Sequence, residues 1–241
     1  MNRIKNLQTS LPRGAPIDSA DLKRLGISPA LAHEYVRTGW LVRLGRGVFM
    51  FPGDHLDRDA TLRFLAGRIP GLHVASKTAL EWRGFRQNLA HRETLCLRGS
   101  RSMPLPDWFQ HRFHSRYSAP RLFSDELPPD YGLAALPESP DGPLVSVPER
   151  ALLEMLSEVG VAQEIGEARE IMETVRQLRS GELTTILQAC RMTKAARLCV
   201  TWAEELAMPW AGVAREATAG QLGTSRWVKR MKDGRTLILK P

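Results

Sequence analysis

Residues 26–53, GISPALAHEYVRTGWLVRLGRGVFMFPG, constrain the fold more than any other part of the chain. Ser28 is placed to cap a helix, Pro29 occupies its favoured first position, and Gly39 stops it after Thr38. Leu31, Ala32, Tyr35 and Val36 share one side of that helix, whereas Ala30, His33, Glu34 and Arg37 share the other. Trp40 and Leu41 lead into WLVRL-GRG-VFMF, which reads as a strand, a glycine-bounded turn and a second strand. Gly45 and Gly47 are expected to supply positive φ in the turn, and Pro52 and Gly53 close the unit.

Two shorter helices precede it. IKNLQTS at 4–10 forms the first, and LPRGAPI breaks it, because two prolines and a glycine cannot continue a helical ladder. Ser19 is the expected N-cap of the second, which Gly26 ends. Three short helices and a hairpin predict a winged helix-turn-helix. The third helix would enter a major groove and present Ala30, His33, Glu34 and Arg37, while Arg43 and Arg46 on the wing reach phosphate or a minor groove. Lys23 and Arg24 on the second helix are placed for backbone phosphates.

Charge fits a polyanionic partner. The 241 residues carry 34 Lys and Arg against 26 Asp and Glu, a balance of +8. The charge is divided unevenly, with +3 over residues 1–60, +5 over 61–130, −6 over 131–190 and +6 over 191–241. The acidic block is either a solvated helical face or a docking surface for a basic partner.

Beyond the wing the pattern alternates between strands and helices. A helix is expected within 54–70, a strand then a helix in LHVASKTALEWRGF ending at Gly84, and a strand in TLCLRG at 94–99. FQHRFHSRY at 109–117 alternates apolar and basic residues as a half-buried strand does. Six prolines make 120–143 an irregular loop. PLVSVPERALLEMLSEVG passes from strand to a helix with a stripe at Leu152, Leu153, Leu156 and Val159, and helices continue to about residue 216. SRWVKRM-KDG-RTLILKP predicts a terminal hairpin rich in cations: Arg226, Lys229, Arg230, Lys232 and Arg235. The expected class is α+β: an N-terminal winged helix-turn-helix at 1–53 and a larger mixed α/β domain at 54–241, with a helical segment and the terminal β-hairpin.

Catalytic constellations are missing. There is no phosphate-binding glycine loop and no nucleophile elbow, and Ser76 and Lys77 are adjacent, the wrong geometry for a nucleophile and its base. His111 and His114 lack companion ligands at metal-binding spacing, and no acids fall in the arrangement a metal-dependent nuclease needs. No enzyme activity, catalytic residue, metal or cofactor is expected. Three unpaired-looking cysteines, an N-terminus without an apolar core and the lack of a long apolar run predict a cytoplasmic protein with no membrane partner.

Three stretches together resemble a known family: TGWLVRLGRGVFMFPG at 38–53, SKTALEWRGF at 76–85 and VSVPERALLEML at 145–156. In this order they are similar to the AbiEi-type antitoxins and transcriptional regulators of bacterial AbiE toxin–antitoxin systems, with Phe49 where the family often has tyrosine. The resemblance implies that the winged helix binds inverted repeats in double-stranded DNA of its own promoter, through the helix beginning at Ser28 and the wing around Arg46. It also implies that the C-terminal domain opposes a nucleotidyltransferase toxin, directly or only functionally. Two alternatives stay open: a stand-alone regulator whose C-terminal domain senses a ligand or dimerises, and a winged-helix nuclease.

Overall fold

The computed structural model describes residues 3–85, 94–223, 226–230 and 236–239. The N-terminal unit runs α1 (Arg3–Ser10), β1 (Ile17–Asp18), α2 (Ser19–Arg24), α3 (Pro29–Arg37), β2 (Val42–Gly45) and β3 (Val48–Met50). Its sheet has the order β1-β3-β2, with Ile17 opposite Phe49 and Asp18 opposite Val48. This is a winged helix-turn-helix with a third, two-residue strand that the sequence pattern does not reveal. Leu7, Ile17, Leu22, Ala32, Tyr35, Leu41 and Phe51 are among the side chains of its small separate core.

Two local expectations are corrected. The cap of α2 is Asp18, not Ser19: the Asp21 N–H donates to Asp18 Oδ1 at 2.6 Å and the Asp18 N–H donates to Asp21 Oδ2 at 3.0 Å, a reciprocal capping box. Ser19 instead ties α2 to the wing, donating its N–H to the Gly47 carbonyl at 3.0 Å. In the turn only Gly47 has positive φ, +69°. Gly45 is a glycine for a different reason: a Cβ there would lie 3.0 Å from Cδ1 of Trp108. It is a site of close approach, not of unusual backbone.

The larger body continues with α4 (Arg58–Ala66), β4 (His73–Val74), α5 (Ser76–Trp82), β5 (Leu95–Arg98), α6 (Asp107–Arg112), β6 (Ser115–Ser118), β7 (Leu133–Ala134), β8 (Val145–Ser146) and α7 (Pro148–Glu158). Four helices follow: α8 (Ile165–Thr174), α9 (Ser180–Gln188), α10 (Thr193–Glu205) and α11 (Ala211–Ala217). The mixed sheet has the order β6-β5-β4-β8-β7. Its central pair β4–β8 is parallel, β5–β6 is parallel, and β4–β5 and β7–β8 are antiparallel. Helix α7 forms the hub, buried from Glu149 to Ser157, and the stripe of Leu152, Leu153, Leu156 and Val159 lies wholly inside.

The expected strand at 109–117 is half wrong. Residues 107–112 are helix α6, and only 115–118 form a strand. Phe109 and Phe113 are two residues of an alternating pattern but also an i, i+4 pair, and their rings meet 5.2 Å apart. The short window cannot separate the two periods. The terminal hairpin is present as β9 (Trp227–Arg230) and β10 (Thr236–Leu239), paired antiparallel with Leu239 opposite Trp227. Its Asp-Gly turn, Lys232 and Arg235 lie outside the described residues.

The two cores meet along a polar seam. Gly14 donates its N–H to Asp54 Oδ2 at 2.8 Å and accepts from the Asp57 N–H at 2.7 Å. Arg13 pairs with Asp54, and Arg68 of the body pairs with Asp18, the cap of α2. Trp108, edge-on to Phe64, reaches across the seam to the wing at Gly45.

Candidate nucleic-acid interface

Helix α3 is held at both ends by local signals and along one face by the small core. The Leu31 N–H donates to Ser28 Oγ at 3.2 Å, Pro29 opens the first turn, and Gly39 beyond the end has φ +79°. Ala32 and Tyr35 bury one face in the small core, with Leu31 and Val36 half-buried at its margins. Ala30, His33 and Arg37 are exposed on the opposite face and Glu34 is half-buried beside them.

Arg37 and Glu34 occupy each other. Arg37 Nε donates to Glu34 Oε2 at 2.9 Å and Nη2 donates to Oε1 at 2.5 Å. The hydrogen bond from Arg37 holds the Glu34 carboxyl below the usual range, with the charges of Arg37 and His33 adding to it. Reading a base with Arg37 therefore requires this fork to open. On α2, Arg24 is likewise paired with Asp21, whereas Lys23 extends into solvent.

The wing supplies the second set of cations. Arg43 is exposed on β2, the edge strand, and its Nε donates to the Gly45 carbonyl at 3.3 Å. Arg46 is exposed at the turn itself. Of the nine residues singled out in the sequence, Lys23, Ser28, His33 and Arg43 line one cleft of about 790 Å³ between α2, α3 and the wing. Arg24, Ala30, Glu34, Arg37 and Arg46 are not part of its lining.

Two of the three motif stretches, SKTALEWRGF and VSVPERALLEML, prove to be fold-keeping devices, a role their residue types do not announce. Glu154, in VSVPERALLEML, is 1% exposed and accepts from Ser146 Oγ at 2.8 Å, from the Ser76 N–H at 3.1 Å and from Arg150 Nε at 3.0 Å. His73 Nε2 lies 3.1 Å from Glu154 Oε1, the oxygen that also accepts from Arg150, and Arg98 Nη2 donates to the Glu154 backbone carbonyl at 2.8 Å. Burial pushes the Glu154 carboxyl up, but the charge and hydrogen bond of His73 and the charges of Arg98 and Arg150 outweigh it and hold the group well below the usual carboxylate range. Ser76, in SKTALEWRGF, adopts φ +53° where its N–H meets Glu154. Glu149 accepts from the backbone N–H of Arg179 at 2.7 Å and pairs with its guanidinium, tying α7 to the start of α9. Among the described residues no group of three or more His, Cys, Asp or Glu could hold a metal ion, and no helix is long and apolar enough to cross a membrane.

The family of the chain follows from comparison with known families. Residues 1–91 match the transcriptional regulator AbiEi antitoxin N-terminal domain, and residues 92–237 match the transcriptional regulator AbiEi antitoxin of type IV toxin–antitoxin systems. The chain belongs to the AbiEi antitoxin family. The resemblance carried by the wing, the SKTAL helix and the PERALL helix is thereby borne out over nearly the whole length, and the family's role is that of antitoxin and transcriptional regulator. Among solved structures, the crystal structure of the RV2827C protein from Mycobacterium tuberculosis is similar in fold. The TM-score is 0.61 at 17% identity, covering 90% of this chain and 79% of that one. No curated protein matches significantly. The two AbiEi matches meet between residues 91 and 92, whereas the two hydrophobic cores part between Phe51 and Leu62.

Proposed function

We propose that the chain is a DNA-binding antitoxin that represses its own operon in the cytoplasm and counteracts a nucleotidyltransferase toxin. Residues 1–53 read inverted repeats in the promoter, and residues 54–241 carry the antitoxin role. The observation that carries the DNA-reading half is the exposed polar face of α3 set beside a wing whose Arg43 and Arg46 both stand in solvent. A helix of this width fits the major groove, and the adjacent cations fit phosphates on either side. Ser28, Ala30 and His33 are nearest the N-terminal end of α3, the end that contacts base edges in such modules. Lys23, Arg24, Arg43 and Arg46 hold the backbone, and Arg37 reads a base after leaving Glu34. The AbiEi membership supports the regulator and antitoxin roles in general.

The test is a fluorescence-anisotropy titration of the full chain against the duplex upstream of its own gene and a scrambled duplex, at two salt concentrations. Affinity for the upstream duplex about a thousandfold or more above the control supports sequence-specific regulation. Equal and steeply salt-dependent binding to both would reduce the winged helix to a non-specific basic surface. The antitoxin half is tested by co-expression with a nucleotidyltransferase toxin, if one is encoded beside this gene. Full protection by residues 1–53 alone would refute the division of labour.

A further inference from the structure

The cleft between α2, α3 and the wing has a composition that DNA alone does not account for. Its volume, about 790 Å³, lies within the range of small-molecule sites, about 300–1,000 Å³. The floor is apolar: Leu22, Ile27, Ala32, Val36 and Phe49. The rim carries the cations Lys23 and Arg43 together with His33 of α3, and no Asp or Glu is among the lining residues. A phosphate pressed onto that floor would lose its hydration without gaining partners there. Hydrocarbon would gain by the same burial.

We infer that this cleft binds a free amphipathic monocarboxylate, a medium-chain fatty acid or an aryl acid of similar length, and that its occupation opposes DNA binding. The hydrocarbon lies on the floor and the carboxylate meets the rim. The charge pattern opposes a cationic amphiphile, because Lys23 and Arg43 stand at the mouth and no acid is among the lining residues. The competition follows from shared atoms: Lys23 and Arg43, which would neutralise two phosphates, would instead neutralise one carboxylate. A second contribution is steric. The floor residues Leu22, Ile27, Ala32 and Phe49 also form the small core that sets α3 against the wing, so an occupant bears on the spacing of the two DNA-facing elements. Binding stands on the cleft alone, whereas the effect on DNA rests on the reading proposed above.

Isothermal titration calorimetry of the full chain with octanoate, decanoate, dodecanoate and decanol tests binding without DNA. Saturable one-to-one binding is expected, with Kd tightening about fourfold for each added methylene until the floor is covered. Lys23→Gln and Arg43→Gln, both at exposed positions, should each weaken decanoate about tenfold while leaving decanol unchanged. Val36→Trp, which fills the cleft from its margin, should abolish decanoate binding in a chain whose melting is checked beside the parent. Absence of saturable binding overturns the inference. So does equal affinity for decanoate and decanol, or full decanoate affinity in both rim variants.

Saturating decanoate should lower the salt slope of binding to the upstream duplex by about one to two units, the loss expected for one or two phosphate contacts. An unchanged slope with decanoate bound overturns the competition. A chain that binds decanoate but no DNA would sink the regulatory proposal and keep the site; normal DNA binding without decanoate binding would do the reverse.

Discussion

In the winged unit the cations stand in solvent: Lys23, Arg43 and Arg46 are exposed and point away from a small apolar core. In the body many arginines are exposed as well, but three are used in the opposite way. Arg98 and Arg150 are 4% and 8% exposed and converge on Glu154 and its helix, and Arg197 is buried against the Leu222 and Gly223 carbonyls at 2.7 and 2.9 Å. Arg98 also donates to Ser157 Oγ at 2.6 Å and pairs with Glu158. One residue type is thus used in two ways. Exposed cations cost the fold little and remain available to a partner; buried ones are committed to holding elements together through counter-charges and carbonyls. A high pI by itself does not say which use dominates.

The sharpest way to break this contrast is at Glu154. Glu154→Gln removes the carboxylate that Arg150 pairs with and leaves that buried cation uncompensated. A loss of about 3–5 kcal/mol is expected in chemical denaturation. A change under about 1 kcal/mol would mean that the cluster is hydrated and that the buried arginines need no counter-charge.

Acid should act through the same group. Its carboxyl is held low in the folded protein, so the stabilisation is fully present above the unfolded value of about 4.3 and is lost as pH falls below that toward the folded value. Stability of the parent should therefore fall steeply below about pH 4, and the Glu154→Gln chain should show a flatter acid limb. Parallel acid limbs in the two chains would place the pH dependence in other carboxylates.

How far the sequence reveals these features depends on how far apart their parts lie along the chain. The helix begun by Ser28 and Pro29 and the turn at Gly47 are local, so their residue types announce them. The cap of α2 is local too, yet Asp18 and Ser19 are neighbours and both are good caps; only the pairing of Asp18 with Val48 in the sheet decides between them. Strand β1 has two residues and no period to detect. In α6 the phenylalanine pair satisfied two periods at once. The Glu154 cluster is invisible for a different reason: its partners Ser146, Ser76 and His73 lie 8, 78 and 81 residues away. The residues proposed to face DNA are legible in the sequence because an amphipathic helix exposes its polar face wherever it packs. The fork between Glu34 and Arg37 is legible as an i, i+3 pair, and it joins two residues that the sequence pattern alone offers as separate contacts.

The seam between the two regions offers a test of intermediate size. A methyl group at Gly45 would meet Trp108 at 3.0 Å, so Gly45→Ala must push the wing or the indole aside. A cost of about 1 kcal/mol is expected, visible as a lowered Tm. In a Trp108→Ala background the same change should cost almost nothing, and the difference is the coupling across the seam. Equal costs in both backgrounds would show that the body does not brace the wing through this contact, and the wing would then be a free-standing part of the N-terminal unit.

The smallest effect on stability should come from the residue with the greatest expected effect on phosphate binding. Arg46 is exposed, sits at the turn and lines neither core. Arg46→Ala should change unfolding free energy by no more than about 0.5 kcal/mol. Binding to specific and scrambled duplexes should weaken alike, and the salt slope should fall by about one unit, because a phosphate contact carries no sequence information. Unchanged salt slopes would remove Arg46 from the phosphate contacts. A loss confined to the specific duplex would instead put the wing tip in a groove, where a narrow minor groove is read by an inserted arginine. In either of those outcomes the contrast between the two regions survives, since the side chain stays dispensable for folding; a large loss of stability is the result that would end it.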